Sequence, residues 1–315
     1  MQMKRRALLK AAAALAVGAG TMKARPAGTQ EPSSSGESWP MHRAPPFAAD
    51  CHIHVYDSRF PVAPNAMLLP PDALADDYRA VQRRLGTVRT VLVQPSTYGT
   101  DNRCMLQALG SLGADARAVA AVDIAVSDEE LRRLGAAGVR GIRFNFVHAG
   151  AAASIEMLEP LSRRADGLGW HVQLNIKGDQ IVQLEPLLSR LPSPIVFDHL
   201  ARIPPEAGAE HPAYAVVQKL IDRGRCWVKL SGAYLESKVG PPSYADVGAL
   251  ARAFIKAAPQ RLVWGSDWPH PSVHAAWPDE VVLFDALCAW APDEELRRQI
   301  LVTNPEALYG FPKGA

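Results

Sequence analysis

A single closed barrel of eight parallel strands with helices between them, a (β/α)8 barrel of the α/β class, is the fold this sequence predicts. Three observations predict it. Short β-type runs recur eight times after residue 47. Helix-like stretches separate them, so strand and helix alternate. Together they occupy roughly 270 residues, close to the ~250 typical of such a barrel. A doubly wound open sheet is the rival, but no glycine-rich phosphate-binding fingerprint follows the first run.

Taken in order, the runs carry polar residues near their ends. In DCHIHVYD (50–57) His52 and His54 lie two positions apart and so share one face of a strand, with Asp50 upstream on that face. VRTVLVQPS (88–96) ends in Gln94 and Ser96, with Tyr98 just beyond. ARAVAAVDIA (116–125) is followed by SDEELRRLGAAG, which places Ser127 at a helix N-cap with Glu129 and Glu130 in the first turn. VRGIRFNFV (139–147) alternates Arg143 with Asn145. WHVQLNIK (170–177) ends in Asn175 and Lys177; His171 stands at its start, the wrong end of a barrel, and reads as structural. SPIVFDHL (193–200) supplies Asp198 and His199, and alternation sends Asp198 to the opposite face from His199, to cap a helix. CWVKLSG (226–232) supplies Lys229 and Ser231. RLVWGSDWP (261–269) leads to Ser266, Asp267 and His270, with Pro269 and Pro271 stiffening the exit and Trp264 and Trp268 reading as core.

Composition is that of an ordinary globular chain: 315 residues, 48% hydrophobic and 21% charged. The formal charge of +2 owes everything to Lys4, Arg5, Arg6, Lys10 and Lys23; without them the rest is about −3, so no cationic surface for nucleic acid is implied. Residues 1–24 have a basic cluster, a short apolar run and small residues, the layout of an export signal, and the Arg5–Arg6 pair before ALLK is of the twin-arginine kind. The other reading is an uncleaved anchor, but the apolar run is broken by glycines and shorter than the ~20 residues a bilayer requires. An exported, periplasmic enzyme with no membrane contact in its mature form is expected. Residues 25–46, rich in Pro, Ser and Gly, read as a disordered tether, and 47–315 as the barrel. Cys51, Cys104, Cys226 and Cys288 show no C-x-x-C spacing and read as small buried residues, although a disulfide stays open in an oxidising compartment.

In such a barrel the reacting groups sit at the C-terminal strand ends. Those ends bring His52, His54, His199 and Asp267 together from the first, sixth and eighth strands. Burying an imidazole or carboxylate costs several kcal/mol unless something pairs with it. Their convergence therefore points either to a metal held by neutral imidazoles or to an acid–base cluster in which Asp267 takes a proton from water.

With DCHIH, RGIRFNFV, FDHLAR, LVWGSDWPHP and NPEALYGF all present, the chain from about residue 47 onward resembles the amidohydrolase superfamily, and within it the lactone-hydrolysing branch of amidohydrolase-2 type. The resemblance implies the barrel, a hydrolytic water activated by Asp267, and contact of His52, His54 and His199 with a substrate carbonyl oxygen or a metal. Metal-loaded relatives add a ligand from the fifth or fourth strand, where this chain has LNIK and RFNF. No metal is therefore expected to be required, or one divalent ion such as zinc at His52, His54 and Asp267.

The resemblance also marks what is missing. Pyrone-carboxylate lactonases of this branch grip two carboxylates, but HAGAAAS, Asn175, Leu68 and GAYLESK stand where they carry arginines and tyrosines, and Arg143 alone of that set survives. KLSGAYLESK and YADVGALAR are closer to the branch's sugar-acid lactone isomerases, which lack the first histidine kept here as His52. The expected function is a hydrolase opening a sugar-acid or pyrone-carboxylate lactone, with the small-molecule lactone as its partner. A lactone isomerase, a metal-dependent decarboxylase and a non-catalytic sugar-acid binder are the alternatives. Asn145 and Asn175 are candidate substrate contacts. Arg143 anchors a substrate anion or forms an internal salt bridge. Ser96 and Tyr98 line the pocket or satisfy the loop STYGTDN. Lys177 and Lys229 meet a carboxylated ligand or snorkel to the rim. His270 braces the eighth-strand motif.

Overall fold

Eight strands and eleven helices alternate in the computed structural model, which describes residues 38–147, 153–273 and 277–314. The export signal expected at 1–24 lies outside these residues, as do 25–37 of the tether and most of HAGAAAS. In chain order the first half runs β1 (Ala49–Ile53), α1 (Ala75–Leu85), β2 (Arg89–Val93), α2 (Arg103–Leu112), β3 (Ala116–Ala120), α3 (Asp128–Ala137), β4 (Val139–Asn145) and α4 (Ile155–Gly167). The second half runs β5 (His171–Asn175), α5 (Gly178–Gln183), α6 (Glu185–Leu188), β6 (Ile195–Phe197), α7 (Pro212–Asp222), β7 (Cys226–Leu230), α8 (Ala245–Ala257), β8 (Leu262–Trp264), α9 (Glu280–Trp290), α10 (Glu294–Arg298) and α11 (Asn304–Tyr309). Ser127 caps α3, its side chain accepting from the Glu130 N–H at 3.1 Å. All four cysteines are buried free thiols.

The strands pair in parallel in sequence order, β1 through β8. Beyond β8 the chain turns back onto β1: the Asp267 N–H donates to His52 O and the His54 N–H to Trp268 O, both at 2.8 Å. This seam closes the barrel and sets Asp267 beside the two histidines. Inside the ring, Ala49, Cys51, Val91, Val119, Val196, Trp227 and Val263 form an apolar layer, continued by Tyr309 and Phe311 from the C-terminal segment. Arg89, the first residue of β2, donates to Pro312 O at 2.6 Å and fixes that segment at the N-terminal end of the strands. A far larger apolar layer separates the sheet from its helices. At the other edge of the tether, residues 38–46 are held in place: Arg84 donates to Ser38 O at 2.7 Å, and the Met41 N–H to Asp285 Oδ1 at 2.9 Å.

Simple alternation fails twice, at the two places that build the site. The register of β1 against β2 shifts between Asp50 and Ile53. Asp50 therefore does not share a face with His52, as strand periodicity predicts. It turns outward and accepts from Tyr78 Oη of α1 at 3.0 Å and from Ser266 N and Oγ at 2.9 and 2.6 Å. After β6, His199, Leu200, Ala201 and Arg202 all have positive φ, 47–58°. Left-handed backbone costs a non-glycine residue roughly 1–2 kcal/mol, and here a run of four is held by buried Leu200 and Ala201. The turn sends His199 to the barrel axis along with Asp198, so the expectation that Asp198 faces away and caps a helix is also corrected.

Gly265, just after β8, lies against His52 of β1. A Cβ there would meet His52 Cβ at 2.6 Å and His52 N at 2.7 Å. Gly265→Ala is therefore expected to lower stability by ~1–3 kcal/mol, the usual cost of overpacking, in denaturant unfolding. An unchanged midpoint would show that the seam is looser than these distances.

Candidate active site

His52, His54, His199 and Asp267 meet at the C-terminal mouth of the barrel, each almost wholly buried. His52 Nε2 and His54 Nε2 lie 3.3 Å apart, and each is 3.5 Å from Asp267 Oδ1. His199 Nε2 approaches Asp267 Oδ2 at 3.9 Å. Each ring is braced from behind. His54 Nδ1 lies 2.7 Å from Val93 O, an acceptor only, so that nitrogen carries the proton and Nε2 faces the site. His199 Nδ1 pairs with Ser231 Oγ at 3.0 Å. His52 Nδ1 is 3.3 Å from both Asp198 Oδ1 and Lys229 Nζ.

Asp267 itself has a left-handed backbone, φ 64°, and its Oδ2 accepts from Tyr234 Oη at 2.6 Å. Its Oδ1 is buried and accepts no hydrogen bond. An orphaned carboxylate oxygen facing two imidazole nitrogens marks a place for a water or a cation. The spacing fits a cation well. Tetrahedral zinc with ~2.0–2.1 Å bonds sets its ligand atoms roughly 3.3–3.4 Å apart, against the 3.3, 3.5 and 3.5 Å found among His52, His54 and Asp267.

Burial dominates the electrostatics. It pushes the His199 imidazole down to about 4 and His52 well below the usual histidine range, the latter helped by the Lys229 charge. Burial alone would raise Asp267, but the imidazoles of His199, His54 and His52 outweigh it and hold the carboxyl well below the usual carboxylate range. At neutral pH the site therefore presents an ionised Asp267 and neutral His52 and His199.

Above this cluster lies a small, half-open cleft. Arg143, Asn145, Asn175 and Ser96 line it, as the sequence predicts. Arg143 makes no internal salt bridge among the contacts described: its Nη1 donates to Gln94 O at 2.6 Å. Asn175 Nδ2 donates to Asn145 Oδ1 at 3.2 Å, linking β4 to β5. Leu68 also lines the cleft. Two candidates are not brought to it. Tyr98 Oη turns to the backbone of Asp57, accepting from its N–H at 2.8 Å and donating to its carbonyl, so it satisfies the loop. Lys177 is exposed at the start of α5. His270 braces the motif as expected, its Nε2 3.1 Å from Glu280 Oε1.

Sequence reasoning missed Arg202, Tyr56 and Tyr234. Arg202 and Tyr56 line the cleft, Arg202 pairing with Glu236 at 2.8 Å. Arg202 sits three residues after His199 in FDHLAR, a signal in plain view. Tyr234 comes from an irregular turn, where no periodicity points at a target. Lys229 does not snorkel to the rim: it is fully buried beneath His52.

Residues 49–311 match the family described as amidohydrolase. The chain belongs to this family. It is 36% identical over 266 residues to D-galactarolactone isomerase of Agrobacterium fabrum (strain C58 / ATCC 33970), covering 83% of this chain and 90% of that protein. It is likewise 36% identical over 284 residues to the 2-pyrone-4,6-dicarboxylate hydrolase of Comamonas testosteroni, covering 86% and 93%. Among solved structures, an Agrobacterium tumefaciens protein in apo form superposes with a TM-score of 0.83 at 34% identity, covering 88% of this chain and 98% of that one.

A pH dependence of stability follows from the buried imidazoles. His171, pushed down to about 3 by burial, stays neutral in the fold like His199 and His52. In the unfolded chain each takes a proton near roughly 6.5. Between about pH 6.5 and 4 the unfolded state therefore binds more protons, so stability falls as pH drops. Asp50, raised to about 6 by burial, works the opposite way but is outnumbered. The unfolding midpoint is expected to fall between pH 7 and 5, and less steeply in His171→Gln; a flat profile would contradict the neutral assignments.

Proposed function

We propose that this amidohydrolase is a lactonase that opens a sugar-acid or pyrone-carboxylate lactone with a water activated by Asp267. The observation carrying this reading is the buried Asp267 Oδ1, which accepts no hydrogen bond and stands 3.5 Å from both His52 Nε2 and His54 Nε2. A water there donates one hydrogen to Asp267 Oδ1 and the other to His54 Nε2, whose own proton is committed to Val93. The substrate's carbonyl oxygen lies against the Nε2 atoms of His52 and His199, which act as an oxyanion site. Asp267 takes the water's proton as the carbon–oxygen bond forms. The ring C–O bond then breaks, Asp267 returns the proton to the leaving oxygen, and a hydroxy acid results. Tyr234 holds the other carboxylate oxygen, so Oδ1 is the one that meets the water.

Arg143 and Arg202, with Asn145 and Asn175, face the cleft from the other side and orient a substrate carboxylate or hydroxyls through charge-assisted bonds. That two similar enzymes carry the names of a lactone isomerase and a pyrone-dicarboxylate hydrolase supports a lactone in this cleft. The intact His52–His54 pair favours hydrolysis over isomerisation. His52, His54 and Asp267 would also hold a divalent ion such as zinc, which when bound supplies Lewis-acid polarisation of the carbonyl. The basic, apolar layout of residues 1–24 supports export through a twin-arginine signal to the periplasm. Among the described residues no helix is long and apolar enough to cross a membrane.

Purified protein assayed against sugar-acid lactones and pyrone carboxylates should open one class, with ¹⁸O from labelled water entering the acid. Product without the label would instead favour an isomerase. Asp267→Asn should lower kcat by roughly 10²–10⁴-fold, the range of a lost general base, with the fold intact; a full-rate variant would refute the role of Asp267. Dialysis against a chelator should leave most of the activity, whereas complete loss restored by zinc would make the ion essential.

A further inference from the structure

Lys229 is a cation buried where the sequence gives it no reason to be. It sits on β7 at 0% exposure, below the layer of site histidines. An ammonium has three N–H groups. Two are spoken for, by Cys51 O and Gln173 Oε1, each at 2.8 Å. The third faces His52 Nδ1 at 3.3 Å, with Asp198 Oδ1 farther off at 3.7 Å.

His52 Nδ1 thus stands between two rivals at 3.3 Å, and they demand different tautomers. Asp198 is an acceptor and requires the proton on Nδ1; Lys229 is a donor and requires a lone pair there. The arrangement favours Lys229. Neither Asp198 oxygen accepts a hydrogen bond, although both are buried, so the carboxylate serves as the counter-charge to Lys229 and to the ring rather than as its acceptor.

We propose that Lys229 is a positioning residue that fixes His52 as the Nε2–H tautomer. Two consequences follow. His52 presents an N–H to the carbonyl oxygen, as the lactonase reading on which this assignment builds requires. The trio His52, His54 and Asp267, spaced correctly for zinc, is left one lone pair short of a full ligand set, because His52 Nε2 is already protonated. Lys229 thereby biases the site toward chemistry without a metal. Were the ring turned over to Asp198, three lone pairs would converge on one point.

The test uses ¹⁵N-histidine-labelled full-length protein. Two-bond ¹H–¹⁵N correlation spectra distinguish the tautomers directly, with the His52 signals assigned by their loss in His52→Asn. The wild-type protein should show Nε2–H. In Lys229→Met, which keeps an unbranched chain without the donor, His52 should move to Nδ1–H, and zinc affinity measured by calorimetry should rise roughly tenfold to a hundredfold, the scale of effects from groups behind a ligand. Asp198→Asn keeps Lys229 and should leave both the Nε2–H tautomer and the zinc affinity as they are. An Nδ1–H signal in the wild-type protein would overturn the assignment, whether or not Lys229→Met folds, as would unchanged zinc affinity in folded Lys229→Met. Neither readout depends on turnover, so a protein that opens no lactone would refute the lactonase reading and leave the role of Lys229 standing.

Discussion

A negative charge kept on Asp267 away from water is the constraint around which the barrel mouth is arranged. A buried carboxylate is tolerated only when its surroundings repay the lost hydration. Here repayment comes from one phenol at one oxygen, imidazoles around the other, and a backbone tie to β1 that fixes where the carboxylate points. Only Oδ1 is left without a hydrogen bond. Of the two oxygens of this carboxylate, the one without a hydrogen bond is also the one that faces His52 and His54, and it is this combination that points to chemistry.

Beneath this layer the interior changes character in steps. At the N-terminal end of the strands the barrel is filled by valines, Trp227 and the Tyr309–Phe311 plug. Next comes a buried ionic layer in which Lys229 donates to Gln173 and stands with Asp198 behind His52. The catalytic candidates stand above, and Arg143 and Arg202 ring the opening. Rigidity below and charge above allow the histidines to be oriented from behind, by groups that a substrate never touches.

Much of this was legible in the sequence. The barrel followed from the alternation of runs, and His52, His54, His199 and Asp267 from their places at strand ends. The failures are specific. Asp50 and Asp198 were assigned to the wrong faces because a register shift and a left-handed turn break the two-residue period on which face assignment rests. For Lys229 strand position suggests a carboxylated ligand or the rim, and nothing local reveals the acceptor set supplied by β1 and β5 that buries it instead. Tyr234 and Arg202 leave irregular backbone, where only three-dimensional proximity reveals a target. For Tyr98 the sequence leaves loop and pocket open, and the hydrogen bonds to the Asp57 backbone hold it in the loop.

The left-handed turn from His199 to Arg202 yokes two functions to one piece of backbone. Its first residue faces the carboxylate that would activate water, and its last reaches the opening where an anion would dock. Any relaxation of the intervening Leu200 and Ala201 toward ordinary dihedrals swings both side chains together. Drift in this segment therefore cannot retune what the enzyme recognises while leaving how fast it reacts untouched, and a change of ligand preference is more readily reached through the loop carrying Leu68, which lines the cleft away from the histidines.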